Sequence, residues 1–381
     1  MQATLTPMTA GREMFARRQP AALPTQRPDH RNVAVLLNRN ARRVTDGLAR
    51  RFEDVAGAEN VFYSRSLEEA EGLAREIVQR GYGTVVCGGG DGTLARSVNL
   101  VHRYVEEANH WRSERYRRFG EWQSLIKAPR FGFLRLGTGN GMAHVVGSGD
   151  PVSDLRRILA QETRVNPLPL IEVDGEYCFF AGLGYDSLIL NDYNWLKRHT
   201  TNPIFKALMH GVSGYIAAVL LRSLPSIMLR NAAKLEARVV TRGPAYYIDP
   251  RRGDAVEAIE PGTTLFEGTA GMIGFATTPF YGYGFKVYPF AGMMPNMMQL
   301  RIGQFGAADV LPNFPAAWKG TWRSPNKLFD FFASDFDIEL VQPYPFQHSG
   351  DAQGMRKKLH CRIADETLDI LDLHGPRRIL S

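Results

Sequence analysis

The stretch Thr84-Val85-Val86-Cys87-Gly88-Gly89-Gly90-Asp91-Gly92-Thr93-Leu94 joins an apolar run to a helix-like sequence through a glycine turn. A strand followed by such a turn and a helix is typical of an α/β sheet, where ligands bind at the carboxyl ends of the strands. Glycine lets backbone N–H groups approach a phosphate without an intervening Cβ, and the helix N-terminus adds a partial positive charge. The turn therefore predicts a polyphosphate site.

Asp91 is the acid within this turn. A carboxylate among phosphate-binding amides would repel a nucleotide by itself, so we expect it to meet a magnesium ion, a hydroxyl group or an ordered water. The alternative is a structural glycine turn with a capping aspartate.

A second glycine turn makes a phosphate site a better interpretation than a purely structural turn. Leu136-Gly137-Thr138-Gly139-Asn140-Gly141 follows the strand-like run Phe131-Gly132-Phe133-Leu134, and the upstream apolar run Val33–Leu37 ends at Asn38. Turns after neighbouring strands would face one cleft. No GxxxxGK[ST] sequence occurs, and the glycines come too late in the chain for a dinucleotide-binding fingerprint, which opens the first βα unit.

These motifs resemble those of the diacylglycerol kinase catalytic-domain superfamily of lipid kinases, which includes sphingosine and ceramide kinases and is distantly related to NAD kinases and phosphofructokinases. The resemblance runs along most of the chain after about residue 31. Gly89–Thr93 with Leu94 is similar to the GGDGT signature, and Leu136–Asn140 to the LGTGND segment. The other similar positions are Asn38, Ser64, Gly182–Asp186 (GxGxDA), Gly284–Ala291, and Ser349-Gly350-Asp351 in place of DGE.

The resemblance implies an ATP-dependent lipid kinase with Mg²⁺, and diacylglycerol is the first candidate acceptor. It implies that Asp351 accepts the proton of the lipid hydroxyl and that Asp186 completes an acidic network, while Asp91 organises the metal. The triphosphate would be held at Gly89, Gly90, Asp91, Gly92, Thr93, Gly137, Thr138, Gly139 and Asn140, with polar contacts from Asn38, Ser64 and Thr138.

Three departures from the family pattern leave alternatives open. Gly141 stands where an acid usually follows Asn140, and Pro295–Gln299 lacks both acids of the family's DGxLD segment, which hold a structural magnesium in many bacterial members. The SGD segment shortens the expected base by one methylene. We therefore expect no second metal at Pro295–Gln299. The alternatives are a ceramide or sphingoid-base kinase, an NAD kinase-like enzyme, and a non-catalytic lipid- or nucleotide-binding protein on a kinase scaffold.

The order of predicted elements gives the fold class. Strands and helices alternate up to about residue 165, including a helix at about 93–108, which predicts a parallel sheet with helices on both faces. Strand-like runs, among them Thr264–Phe275, dominate afterwards. Asp174-Gly175 between two such runs predicts a two-residue hairpin. We expect a flexible segment at 1–30, an α/β nucleotide-binding domain of the NAD kinase and phosphofructokinase type at 31–165, and a largely antiparallel β-sandwich domain for the lipid substrate, with helical inserts, at 166–381.

Charge and composition bear on partners. The chain has a formal net charge of +7, and an insert-like stretch from His102 to Arg130 carries seven Lys or Arg residues interleaved with aromatic residues. This predicts contact with an anionic membrane, the alternative being a helix with a solvated charged face. No nucleic-acid motif occurs. Three scattered cysteines suggest a reducing compartment. We expect a cytoplasmic, peripherally membrane-associated protein and leave a homodimer open; the apolar stretch Pro203–Pro225 is a second candidate for lipid contact.

Overall fold

The protein is seen here in a computed structural model, which describes residues 25–26, 28–41, 43–185, 187 and 234–374. Its first half alternates strands and helices, as predicted. The elements are β1 (Thr25–Gln26), β2 (Val33–Asn38), α1 (Asp46–Ala56), β3 (Val61–Ser64), α2 (Leu67–Gln79), β4 (Thr84–Gly89), α3 (Asp91–Phe119), β5 (Leu125–Ile126), β6 (Arg130–Arg135), α4 (Gly141–Val146) and α5 (Pro151–Leu159).

The strands of this half are parallel. Their order is β3-β2-β4-β6, and the pairs β2–β3, β2–β4 and β4–β6 all run in the same direction. Alternate residues of each strand face opposite sides, so that Leu36 and Cys87 pack towards α2 and α3 while Leu37 and Val86 pack towards α1 and α5. The predicted α/β layer with helices on both faces is confirmed.

The second half is built from antiparallel strands. They are β7 (Arg164–Val173), β8 (Glu176–Cys178), β9 (Phe180–Gly184), β10 (Leu235–Thr241), β11 (Ala245–Ile248), β12 (Ala255–Ile259), β13 (Thr264–Ala270), β14 (Met272–Ala276), β15 (Met298–Gly303), β16 (Leu328–Ala333), β17 (Asp335–His348) and β18 (Asp351–Asp372), with α6 (Ala307–Trp318) between β15 and β16. A separate buried cluster, which includes Phe275, Phe336 and Phe346, forms the core of this half. The predicted β-rich second region is confirmed.

The two halves share one hydrogen-bonded sheet. The C-terminal end of β18 lies parallel to β6 through the pair Ile370 and Phe131, and Leu371 joins the core of the parallel layer. The last strand therefore returns to the N-terminal half and fixes the glycine turns relative to the antiparallel strands.

Two local predictions differ in outcome. Asp174 and Gly175 have φ values of 52° and 82°, which confirms a hairpin turn with two left-handed residues between β7 and β8. The single strand expected over Thr264–Phe275 is wrong, because Gly271 interrupts it and donates its N–H to the carbonyl of Gly303.

The helix expected at about 93–108 is longer than predicted. It spans 29 residues and ends only at Gly120, whose φ of 68° makes it a left-handed C-cap. Most of the basic and aromatic stretch therefore continues α3. At about 1.5 Å per residue the helix is about 43 Å long.

No helix in the described ranges is long and apolar enough to span a membrane. The second lipid-contact candidate, Pro203–Pro225, lies outside the described residues.

Candidate functional site

The first glycine turn connects β4 to α3 at the carboxyl edge of the sheet. A Cβ on Gly89 would lie 2.6 Å from the Cβ of Thr93, so only glycine fits at the end of β4. The first N–H groups of a helix have no acceptor within the helix. Those at the start of α3 are therefore suited to an anionic ligand.

The second glycine turn lies directly against the first. Gly89 accepts hydrogen bonds from the N–H groups of Leu136 (3.1 Å) and Gly137 (2.6 Å) through its carbonyl oxygen. A Cβ on Gly137 would come within 2.3 Å of the Cα of Gly90, so the backbones approach as closely as glycine allows. The structure thus brings the two predicted turns together in one place.

Asn140 gives the second turn its shape. Its φ of 50° is left-handed, and its Nδ2 donates to the carbonyl of Gly137 at 2.7 Å. Its Oδ1 is buried and has no hydrogen-bond partner among the described residues. An unpaired buried oxygen at a predicted nucleotide site is a candidate acceptor for a donor group or water brought with a ligand.

Asp91 links the two turns through its carboxylate. The side chain is buried, Oδ2 accepts from the N–H of Gly141 at 2.7 Å, and Oδ1 accepts from the N–H of Met142 at 2.8 Å. Burial raises the pKa of this carboxyl, and the N–H groups of Met142 and Gly141 oppose the rise. Asp91 therefore holds the first turn of α4, a role that the sequence did not predict, and its contact with a metal stays a prediction.

Asn38, Ser64 and Thr93 lie at neighbouring strand and helix ends. Asn38 and Ser64 are paired in register, and Asn38 Nδ2 donates to Thr93 Oγ1 at 3.1 Å. They line a cavity of about 280 Å³ beside the first glycine turn. Its other residues include Asn40, Arg65, Gly92, Arg96, Ser97 and Asp351.

Asp351 begins β18 and lies at the edge of that cavity, against the N-terminus of α3. A Cβ on Gly92 would be 2.8 Å from both carboxylate oxygens of Asp351, so the glycine allows the carboxylate to rest on the helix N-terminus. Arg96 Nη2 is 3.5 Å from Asp351 Oδ2, and the carboxylate is 43% exposed. Asp351 therefore reaches solvent beside the predicted phosphate site.

Ser349 precedes Asp351 in the SGD segment and is fully buried. Its Oγ accepts from the N–H of Phe179 at 3.1 Å, and its own N–H donates to the carbonyl of Phe180. The serine fixes the turn that presents Asp351.

A larger cavity of about 720 Å³ meets the smaller one at Asp351, Gly92 and Arg96. It runs beside α3 and is lined by seven carboxylates and three guanidinium groups. Most are paired: Arg103 with Glu71, Arg362 with Glu172 and Asp365, His348 with Glu176, and His102 with Glu366. The arrangement places a polar chamber beside α3 that shares Asp351 with the smaller cavity.

The segment 277–291, called here the covering loop, packs over the second glycine turn. Gly282 and Gly139 approach backbone to backbone, since a Cβ on either would be 3.2 Å from the Cα of the other. A Cβ on Gly141 would lie 2.8 Å from the carbonyl oxygen of Tyr281. This contact explains the first departure from the family pattern: no acid fits at position 141 while the covering loop lies there.

The second departure from the family pattern, the absence of both acids at Pro295–Gln299, coincides with a buried polar network. Gln299 is fully buried and donates to Asp330 at 2.6 Å, and Asp330 also binds Arg301 through both carboxylate oxygens at 2.8 and 3.0 Å. A guanidinium group therefore neutralises the carboxylate that contacts Gln299. Within the described ranges, no cluster of three or more His, Cys, Asp or Glu residues could hold a metal ion.

Asp186 lies outside the described residues, so its place in an acidic network stays a prediction. Thr138 lies in the second turn and is partly exposed. Arg96 and the network of Arg301 and Asp330 were not predicted from the sequence. Only the position of Arg96 on the first turns of α3 could have signalled it.

Comparison with known proteins gives a match to one family model and likeness to one fold. Residues 32–168 match the sequence model of the diacylglycerol kinase catalytic domain. A solved structure of a diacylglycerol kinase from Bacillus anthracis str. Sterne is 14% identical, covers 88% of this chain and 94% of its own, and has a TM-score of 0.54. Two further structures of diacylglycerol kinase candidates from that organism cover the same shares, with TM-scores of 0.57 and 0.56 at 14% and 13% identity.

The comparison with curated proteins gives no match. At identities this low the structural likeness shows the fold alone, and the family model matches residues 32–168. The resemblance to the diacylglycerol kinase catalytic-domain superfamily is therefore confirmed, on a catalytic-domain match over residues 32–168 and a fold shared along most of the chain.

Proposed function

We propose that the protein is an ATP-dependent lipid kinase that transfers the γ-phosphoryl group to a lipid hydroxyl, with diacylglycerol as the first candidate and phosphatidic acid as the product. The observation that carries this proposal is the position of Asp351, which lies on the N-terminus of α3 and lines both cavities. A group there can accept a proton from an alcohol that enters from one side while phosphates occupy the other.

The residues present fit a triphosphate. The abutting glycine turns bring backbone amides together without Cβ obstruction, and the first turn of α3 offers N–H groups. The unpaired Oδ1 of Asn140 is an acceptor, suited to a water or a hydroxyl group brought with the nucleotide and not to the phosphates themselves. Asn38, Ser64 and Thr93 would orient the nucleotide from the small cavity, and Arg96 would face its phosphates. Mg²⁺, held through the phosphates and near Asp91, would supply neutralisation of the phosphoryl oxygens.

The protein's own contribution is then positioning and charge. Asp351 would accept the hydroxyl proton, and Arg96 would hold its carboxylate towards α3. Asp91 would keep the two glycine turns in register through its two amide contacts. Phosphoryl transfer needs little else from a protein, since its catalysis is mostly positioning and electrostatic stabilisation.

A panel of acceptors tests the proposal. Purified protein with labelled ATP and Mg²⁺ should phosphorylate at least one of diacylglycerol, monoacylglycerol, ceramide and sphingosine, and removal of Mg²⁺ by a chelator should abolish transfer. Phosphorylation of NAD alone would favour the NAD kinase-like alternative. ATP binding without transfer to any acceptor would favour the non-catalytic one.

A sphingoid base is the second candidate acceptor. The excess of carboxylates over guanidinium groups in the larger cavity would attract the ammonium group that such a base carries beside its hydroxyl. Sphingosine and its N-acylated form, ceramide, make a matched pair because acylation removes the charge. A clear preference for sphingosine over ceramide would support this acceptor.

Contact with an anionic membrane is proposed through the end of α3. Trp111 and Phe119 are 61% and 71% exposed, and Arg115 and Arg118 lie on the same side of the helix at i+4 and i+7 from Trp111. Trp122, just beyond the helix, is also exposed. Basic and aromatic side chains together suit an anionic lipid surface. Because this end lies about 40 Å along the helix from Gly92, contact here would tether the protein and not deliver the lipid to Asp351.

Neutralising Arg115, Arg117 and Arg118 together should weaken binding to anionic vesicles at low salt, by up to about 3 kcal/mol at about 1 kcal/mol per residue. These arginines already pair with Glu114 and Glu121, so the loss should fall below that limit. Co-sedimentation at two salt concentrations measures it, with Arg50 and Arg51 on α1 neutralised as the control. Parent-like binding by the triple variant at low salt would place any membrane contact elsewhere.

A further inference from the structure

The buried polar network beneath the covering loop is not used by the proposed chemistry. Gln299, Arg301 and Asp330 lie on β15 and β16 and are 0%, 6% and 2% exposed. A buried ion pair of this kind often stabilises a fold no more than apolar side chains of similar size would. The role of this network is therefore better inferred from the groups it contacts than from its contribution to stability.

Those contacts run to the covering loop. Arg301 Nη1 donates to the carbonyl of Val287 at 2.7 Å, and Gln299 Oε1 accepts from the N–H of Phe290 at 2.8 Å. Within the loop, Tyr288 donates its N–H to the carbonyl of Pro279. The network thus holds one end of the loop at two backbone positions.

The other part of the loop holds the second glycine turn. The carbonyls of Phe280 and Tyr281 approach Gly141, and Gly282 lies against Gly139. The rings of Phe280 and His144 add a contact to α4 at 5.3 Å between centroids. Since Gly141 and Met142 donate to Asp91, the loop, the second turn and Asp91 form one continuous set of contacts.

We propose that Arg301 and Gln299 are positioning residues: together with Asp330 they fix the covering loop so that it holds the second glycine turn, and through it Asp91, in the geometry that binds the triphosphate. This rests on the proposed function in taking the second turn as part of the nucleotide site. Each step is a direct contact in a packed interior, which transmits displacement because it contains little free space.

Hydrogen exchange tests the coupling without nucleotide. Arg301→Met combined with Asp330→Leu removes both charges and leaves no unpaired buried ion, so the fold should survive. We expect the Gly141 and Met142 amides to exchange about tenfold faster or more, because the turn opens locally, while amides of β10 are unchanged. Arg242→Met with Asp337→Leu removes another Arg–Asp pair of the same half and is the matched control, expected to leave Gly141 and Met142 unaffected.

Kinetics separates positioning from a loss of stability. The double variant should raise KM for ATP by about tenfold or more with a smaller change in kcat, since misplacement of a binding loop by about 1 Å can cost a factor of this order. Arg301→Lys, which keeps a cation near Asp330, should recover part of the affinity. A general loss of stability would lower the active fraction and leave KM unchanged.

Parent-like exchange at Gly141 and Met142 in a folded double variant would overturn the inference. If the double variant does not fold, Gln299→Met decides, since it removes the acceptor for the Phe290 N–H and the donor to Asp330 but leaves the pair of Arg301 and Asp330. It should shift both amides in the same direction by less. Because exchange needs no substrate, failure of the parent to phosphorylate any lipid would count against the proposed function alone. Lipid phosphorylation by the parent with unchanged exchange in both variants would count against this inference alone.

Discussion

Asp351→Asn should abolish most lipid phosphorylation while leaving ATP binding intact. The substitution keeps the size of the side chain and its place on Gly92, but an amide cannot accept the proton of an attacking hydroxyl. Loss of a general base typically lowers turnover by about 10²- to 10⁴-fold. Since Asp351 is 43% exposed and pairs only loosely with Arg96 at 3.5 Å, the fold should not depend on its charge. Steady-state kinetics with saturating ATP and the best acceptor of the panel measures the effect.

Asp365→Asn is the matched control for this prediction. Asp365 also lines the larger cavity, and its carboxylate is 90% exposed and paired with Arg362. It lies away from the smaller cavity, so its neutralisation should leave turnover within about twofold of the parent, as expected for a surface ion pair worth at most about 1 kcal/mol. Turnover by Asp351→Asn close to that of the parent would remove Asp351 from the proposed chemistry.

A further substitution separates the chemistry of Asp351 from its position. Asp351→Glu keeps the carboxylate but pushes it further along α3, past the contact that Gly92 now allows. Transfer is sensitive to placement at about the 1 Å level, so partial activity would show that the turn formed by Ser349 and Gly350 sets the reach of the base.

The parts of the site that are local in sequence could be predicted. The turn Gly89–Thr93 is predicted from a strand, a turn and a helix that follow each other directly in the sequence. In the structure the strand is β4 and the helix is α3. The hairpin at Asp174 and Gly175 is equally local, because two left-handed residues specify the turn by themselves. Such features need no knowledge of what packs against them.

The parts that depend on distant residues could not. The sequence predicts that Asp91 faces a ligand, but its oxygens accept from amides 50 and 51 residues further along the chain. Nothing in the sequence of the turn identifies these two donors. From the sequence, Gly141 is interpreted as the loss of an acid. In the structure, the backbone of residues 280 and 281 occupies the space that a side chain at position 141 would need. The predicted end of α3 is wrong for another reason. The charged and aromatic residues that follow position 108 predict an insert, but no helix breaker occurs before Gly120, and the helix continues to Phe119.

Asp91→Asn should lower both stability and turnover, and the two losses have one cause. Asparagine can accept only one of the two hydrogen bonds that Asp91 accepts, so the N–H of Gly141 or of Met142 would face an NH₂ group in a buried site. A buried donor left without a partner costs about 1–3 kcal/mol. The two glycine turns would then lose their link, and turnover should fall by about 100-fold or more, as for other groups that organise an acid, base or metal.

Asp150→Asn provides the comparison that isolates this effect. Asp150 caps α5 by accepting from the N–H of Ser153, so its neutralisation changes the cap of a different helix. Asparagine is as good an N-cap as aspartate, so stability and turnover should both stay close to those of the parent. Urea unfolding and initial rates on the same preparations give both quantities. If Asp91→Asn unfolds at the parent's urea concentration and phosphorylates lipid at near the parent's rate, then Asp91 neither joins the glycine turns nor organises the metal, and the phosphate site must be held by the backbone amides alone.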